Sequence, residues 1–186
     1  MKLMDFWTQL ARYSFYETER LTLRPPSFSD AKAFYDIASD NDNLHFVFPR
    51  VISQEESDYL LTHSFLKKPL GVWAISDKSS HTLLGFIKLE KIDTQKKEAE
   101  LAYFLDNHYR CQGMMTEVVK NIVFLAFKEL GLKSLIILTH LENQASQKVA
   151  EKAGFTFIEQ FKGSDRYTRK MRYYKKYQLN IGDYHE

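Results

Sequence analysis

An α/β fold is the class this sequence predicts, on three observations. The front half is rich in short strand-like runs broken by turn residues. The back half reads strand, helix, strand, helix, strand. One strand–helix–strand passage there, residues 99–140, has the length and pattern of a right-handed crossover, so its two strands should be parallel neighbours. Ligands of open α/β sheets sit off the carboxyl ends of such strands.

Taken in order, residues 3–13 read as a short amphipathic helix with Leu3, Phe6, Trp7 and Leu10 on one side, suited to pack on the domain or on a second subunit. "RLTLRP", Arg20 to Pro25, is the first strand, with Leu21 and Leu23 alternating with polar residues. "SFSDAKAFYDIASD" gives a helix that Ser29 or Asp30 can cap, with Ala33, Phe34 and Ile37 on one face. "SQEESDYLLTHSFL" gives another, with Ser53 and Glu56 in capping-box register. Two strands follow in "GVWAISDKSSHTLLGFIKLEKID", joined by a turn at "DKSSH", and Ala99 to Asp106 form a third.

A helix over 112–130 carries Met115, Val118, Val119, Ile122 and Leu125 or Ala126 at helical spacing and ends at Gly131. "SLIILTH" is a continuously apolar, buried strand. "NQASQKVAEKAG" is a helix closed by Gly154, and "FTFIEQF" and "RKMRYYKKYQL" are the last strands.

The composition sets bounds. The 186 residues, 44% hydrophobic and 15% aromatic, suit one globular domain with one core. A net charge of +2 gives no electrostatic case for a nucleic-acid protein. The single Cys111 excludes an internal disulfide and fits a reducing compartment. The six histidines are scattered, without H-x-x-x-H spacing, so no metal is expected. The opening twenty residues lack a signal-peptide core, and no run is long enough to span a membrane. A soluble, cytoplasmic protein is the expectation.

The chemistry concentrates in "HYRCQGMMTEVV", His108 to Val119. Here a strand gives way to a helix through Arg110, Cys111, Gln112 and Gly113. A helix N-terminus offers unpaired N–H groups and the positive end of the helix dipole, which together favour a phosphate or pyrophosphate. Arg110 adds a cation, and Gly113 permits close backbone approach. A strand–Gly–helix turn is common, so this motif alone is weak.

"RCQGMM" resembles the Gln/Arg-x-x-Gly-x-Gly/Ala loop of the GNAT superfamily of acetyl-coenzyme A (acetyl-CoA)-dependent N-acetyltransferases. The flanking blocks agree: "AELAYFLDNHYRCQGMMTEVV" is similar to that family's fourth strand, pyrophosphate loop and third helix, and "ENQASQKVAEKAGF" to its Asn-x-x-Ser … Glu-Lys-x-Gly-Phe helix. "ERLTLRP" and the aromatic-basic last strand resemble the branch that includes ribosomal-protein N-terminal acetyltransferases. The resemblance implies a mixed central β-sheet flanked by helices, with a parallel strand pair splayed around the cofactor. It divides the chain into an N-terminal helical extension, 1–17, an N-acetyltransferase domain, 18–178, and a C-terminal tail, 179–186. One departure stands out: Met115 replaces the family's second Gly or Ala. Its side chain is tolerable there if it packs beneath the helix.

The same resemblance assigns roles. The backbone of Tyr103, Phe104 and Leu105 would pair with the pantetheine arm, and Arg110, Cys111, Gln112, Gly113, Met114 and Met115 would hold the pyrophosphate. Asn143 and Ser146 would lie beside the thioester, although Asn143 also suits an N-cap and Ser146 a first-turn residue. The acceptor, a primary amine, must lose a proton before it attacks, and the thiolate must gain one. Glu100, opening the strand that leads to the cofactor, and Asp165, after the Gly-Phe strand, are candidate bases; each also fits as a solvated strand-end or turn charge. Ser146 is a third candidate catalytic group. Glu90 can face the same cleft, and Tyr167, Tyr173 and Tyr174 are candidate thiolate acids. Cys111 faces phosphate and is not expected to be a nucleophile.

For the acceptor the resemblance implies a protein N-terminus, with a ribosomal protein as partner, or else a polyamine or an antibiotic amine. Asp40, Asp42, Glu55 and Glu56, around "SDNDN" and "QEES", can attract a cation or simply form turns. "RYTRKMRYYKK" interleaves basic residues with tyrosines in a way compatible with a non-catalytic module that contacts RNA or the ribosome, and equally with a solvated strand face. Phe6, Trp7 and Leu10 are natural interface residues of a homodimer.

Overall fold

The computed structural model describes residues 5–42 and 47–186. Leu3 and Asn43, included in stretches read above, lie outside them. The strands are β1 (Tyr16–Glu17), β2 (Leu21–Arg24), β3 (Val72–Asp77), β4 (Leu83–Asp93), β5 (Glu98–Leu105), β6 (Ser134–His140), β7 (Thr156–Ser164) and β8 (Met171–Asn180). Their order in the sheet is β1-β2-β3-β4-β5-β6-β8-β7. The helices are α1 (Phe6–Arg12), α2 (Ala31–Ala38), α3 (Gln54–Leu61), α4 (Met114–Phe124) and α5 (Gln144–Lys152). This is the mixed sheet with helices that the sequence predicts. Residues 7–88 and 103–114 form one compact unit; 89–102 and 115–186 make up most of the other.

In the first unit, β2 pairs antiparallel with β3, and β3 with β4. The turn between β3 and β4 is held by Asp77, whose Oδ2 accepts from the backbone of Ser79 at 3.0 Å and Ser80 at 2.7 Å. The core is a knot of phenylalanines. Phe34 of α2 lies edge-on to Phe86 of β4, centroids 5.8 Å apart, and Phe104 of β5 meets Phe48 at 5.4 Å. Phe65 stacks on Phe86 at 4.6 Å. Offset and edge-to-face pairs add roughly 0.5–1.5 kcal/mol each beyond burial.

Two caps differ in detail from the sequence reading. Ser53 Oγ accepts from the N–H of Glu56 at 3.2 Å as expected, but the Glu56 carboxylate accepts from Ile52 N at 3.0 Å, one residue before the box position. Asp30 does not cap α2 with its side chain. Its carboxylate turns back to Ser27 N at 3.0 Å and takes both terminal nitrogens of Arg24, at 3.0 and 2.6 Å. A buried Asp beside an arginine fork is better satisfied by the charged donor than by a helix amide.

In the second unit, β5 and β6 are parallel as expected, in register from Glu98↔Ser134 to Leu101↔Ile137. β6 pairs antiparallel with β8 from Ser134↔Asn180 to His140↔Tyr174, and β7 forms a hairpin with β8. Met115, Val118, Val119, Ile122 and Val123 are the buried face of α4. The helix expected to run regularly to residue 130 instead widens after Phe124 into a π turn, closed by Leu130 N on Leu125 O at 3.0 Å. Leu125, Ala126 and Phe127 are consecutive and all buried. A π turn advances less per residue than an α turn, which keeps such a run on one side. β7 also runs three residues past the expected Phe161, to Ser164, because its partner strand continues opposite it.

Candidate active site

The strand-to-helix loop belongs to the first unit. Asp106 caps a single turn over Asn107–Tyr109 by accepting from His108 N at 3.2 Å. Two of the next residues are left-handed. Cys111 has φ 63° and Gly113 φ 74°, with Gln112 between them and the first turn of α4 immediately after. Left-handed residues in such a turn can present backbone N–H groups to an anion. For Cys111 this conformation is strained, and strain of this kind gathers at binding loops. Arg20, just before β2, donates to Gln112 O at 2.9 Å. That bond holds the carbonyl and adds a cation beside the loop. Cys111, Gln112 and Gly113 are exposed.

His108 Nε2 lies 3.2 Å from Asp40 Oδ2 at the end of α2. The Asp42 N–H and then His108 hold the Asp40 carboxyl below the usual carboxylate range. Asp40 and Glu56, read as candidates to attract a cation, are thus both engaged, whereas Asp42 is exposed. Tyr103, Phe104 and Leu105 continue β5 beyond Leu101, the last residue in register with β6. Phe104 and Leu105 are buried and Tyr103 is half-buried. β4 approaches here with a glycine: a Cβ at Gly85 would stand 2.1 Å from the Phe104 carbonyl oxygen.

The remaining candidates lie in the second unit. Met115 is 6% exposed, so the residue that departs from the family pattern packs under α4. Asn143 Oδ1 accepts from Ser146 N at 3.2 Å, the N-cap bond that its position allows. Glu100 is 3.4 Å from Lys91 Nζ. Glu90 is held by both terminal nitrogens of Arg166, at 2.7 and 2.9 Å. Arg166, in the basic stretch before β8, is thereby paired, and so is Lys175 of β8, which donates to Gln147 Oε1 at 3.3 Å.

Asp165 is 8% exposed. Its Oδ1 accepts from Tyr167 N at 3.0 Å, Thr168 N at 2.8 Å and Thr168 Oγ1 at 3.1 Å, while Oδ2 lies 3.5 Å from His140 Nε2. Burial alone pushes this carboxyl up, but the donors from Thr168 and Tyr167, with His140, bring it below the ordinary value. His140 is displaced downward by burial, against the attraction of Asp165. Tyr174 lies beside the imidazole, centroids 4.8 Å apart, its hydroxyl pushed up by burial and by Asp165. The sequence reading passed over His140 and Arg20. The available signals were a histidine ending the apolar run "SLIILTH" and an arginine opening "RLTLRP".

The model of the acetyltransferase (GNAT) domain matches residues 20–156. The chain belongs to the GNAT acetyltransferases. This GNAT protein is similar to the uncharacterized N-acetyltransferase YoaA of Bacillus subtilis (strain 168), 26% identical over 144 residues that cover 75% of this chain and 81% of YoaA. It is also similar to the ribosomal-protein-serine acetyltransferase of Escherichia coli (strain K12), 27% identical over 73 residues that cover 39% of this chain and 41% of the relative. Among solved structures, RimL, a ribosomal L7/L12 alpha-N-protein acetyltransferase in complex with coenzyme A, superposes with a TM-score of 0.73 at 20% identity, covering 91% of this chain and 99% of RimL. The GNAT family is one of acetyl-CoA-dependent N-acetyltransferases, and this protein is an acetyltransferase of that family. Among the described residues, no helix is long and apolar enough to cross a membrane.

Proposed function

We propose that the protein moves the acetyl group of acetyl-CoA to the N-terminal amine of a protein or peptide, by direct attack of the amine with carboxylate assistance to its deprotonation. The observation that carries this reading is the loop with left-handed Cys111 and Gly113, opening α4 within the matched domain. Its backbone N–H groups, with Arg20 bonded to the loop and Arg110 within it, suit a pyrophosphate. In this reading Arg110, Cys111, Gln112, Gly113, Met114 and Met115 hold the pyrophosphate. The backbone of Tyr103, Phe104 and Leu105, beyond the registered part of β5, serves the pantetheine arm. Asn143 and Ser146 lie by the thioester, and Glu100 and Asp165 are the carboxylates. The relatives named for ribosomal-protein acetylation favour a peptide α-amine over a polyamine or an aminoglycoside.

The test is calorimetric titration with acetyl-CoA of the wild type and of Gly113→Glu, followed by a panel of peptides, polyamines and aminoglycosides. Glutamate at φ 74° strains the loop and puts an anion at the phosphate site. Saturable binding lost in the variant supports the loop assignment. Turnover of amines other than peptides would replace the acceptor, and no binding by folded wild type would remove the reading.

A further inference from the structure

We propose that His140 Nε2 and Asp165 Oδ2 together receive the acceptor ammonium, and that His140 takes its proton. This rests on the acetyl-transfer reading and deepens it by naming the amine subsite. His140 is the last residue of β6, at the carboxyl end of a strand in the parallel pair, where ligands of such sheets sit. Three residues on, Asn143 opens α5, and its backbone N–H bonds to His140 O at 3.0 Å. Gln147 Nε2 donates to the same carbonyl at 3.1 Å. The main chain of His140 is therefore fixed to the turn that leads into Asn143 and Ser146.

Asp165 comes from the β7–β8 connection, itself fastened by Arg166 to Glu90. The facing atoms of His140 and Asp165 are 3.5 Å apart, and each side chain keeps about a tenth of its surface exposed, 11% and 12%. That gap is long for a direct hydrogen bond and suits two acceptors sharing one ammonium donor. The Asp165 Oδ1 atom is taken up by Tyr167 and Thr168, which leaves Oδ2 for the cation.

The groups that face His140 include Asp165 from the connection, Arg172 and Tyr174 from β8, and Glu142 from the turn after β6. Burial and Arg172 favour the neutral imidazole; Asp165 and Glu142 oppose them without prevailing. A neutral imidazole beside an ionised carboxylate can bind an ammonium and then deprotonate it. In the step, one ammonium proton passes to Nε2, and the freed nitrogen pair forms the N–C bond at the acetyl carbonyl carbon. The C–S bond breaks with its electrons on sulfur. The second proton leaves nitrogen for the thiolate, and His140 returns its own to solvent. Asp165 remains charged throughout and balances the transient imidazolium.

The experiment uses the full chain and a synthetic hexapeptide with N-terminal serine, with His140→Gln and Asp165→Asn. Expected are unchanged acetyl-CoA affinity in both variants and a kcat lowered about 100-fold at pH 7 in His140→Gln. That deficit should shrink below about tenfold at pH 9.5, where an α-amine with pKa about 7.7–8.0 is already neutral. Asp165→Asn should chiefly raise the peptide KM, about tenfold. A His140→Gln variant within threefold of wild type at pH 7, or a deficit equal at both pH values, overturns the proposal. If the wild type binds acetyl-CoA but leaves the peptide unmodified, the peptide acceptor is wrong, and NMR titration of His140 decides the subsite. A neutral imidazole at pH 7 whose pKa falls further in Asp165→Asn supports it; an imidazolium at pH 7, or indifference to the variant, overturns it. A wild type that does not bind acetyl-CoA removes both readings.

Discussion

Arg20 and Gln112, 92 residues apart, are joined by a hydrogen bond from the guanidinium to the carbonyl at 2.9 Å. The bond fixes the peptide plane between Gln112 and Gly113. In Arg20→Met that plane loses its anchor and the loop its neighbouring cation. An exposed charged hydrogen bond of this kind contributes about 1 kcal/mol, so acetyl-CoA binding should weaken roughly fivefold. Calorimetry on the variant checks this. Unchanged affinity would show that the loop holds its shape without Arg20.

Gly85→Ala tests the close approach of β4 to β5. The added Cβ would meet the Phe104 carbonyl oxygen at 2.1 Å and the Leu105 Cα at 3.0 Å. Both are backbone atoms that no rotamer change can move. The strand must shift, at a cost of about 3 kcal/mol or more, and the Phe104–Phe86 contact at 5.5 Å loosens with it. Urea unfolding should show the loss. A variant as stable as wild type would mean that the two strands separate freely.

How much was legible follows the range of the interaction. The period of Met115, Val118, Val119 and Ile122 announced α4 and its buried side, because helix period is a local property of sequence. The parallel pairing of β5 with β6 followed from the crossover rule. The loop could be found because its Gly113 and the helix after it are contiguous. The Asp165–His140 approach was not legible, since its residues are far apart in the chain and meet only through the pairing of β6 with β8. Glu90 illustrates the same limit: strand parity could not show that Arg166, 76 residues on, would cover it.

Replacing Arg166 or Glu90 isolates that ion pair. Arg166 is half exposed at 52% and Glu90 is 14% exposed, so solvent screens part of the attraction. A bidentate pair still exceeds a simple surface contact, and a coupling energy of about 1 kcal/mol is expected from the cycle Arg166→Met, Glu90→Gln and the double variant. Each single variant should lower Tm by about 2–4 °C. Strictly additive losses would mean that the pair contributes nothing to holding the β7–β8 connection.

Stability should fall in two stages on acidification, with His140 acting in the upper one and Asp165 among the groups acting in the lower. Burial depresses the folded pKa of His140, so below the ordinary histidine value of about 6.5 the unfolded chain takes a proton that the folded one refuses. Folding stability therefore declines as pH drops from about 6.5 towards the folded value, then levels. Asp165 also has a lowered folded pKa; its contribution is complete above the ordinary carboxyl value of about 3.9 and is lost as pH falls through the folded one. Asp40 and Asp77, held low by backbone N–H groups, act in the same lower range. Urea midpoints measured from pH 8 to pH 3 should show both declines in wild type. His140→Gln should remove the upper decline and leave the lower. An upper decline that survives His140→Gln would place the titrating group elsewhere and mean that this imidazole is not held neutral by the fold.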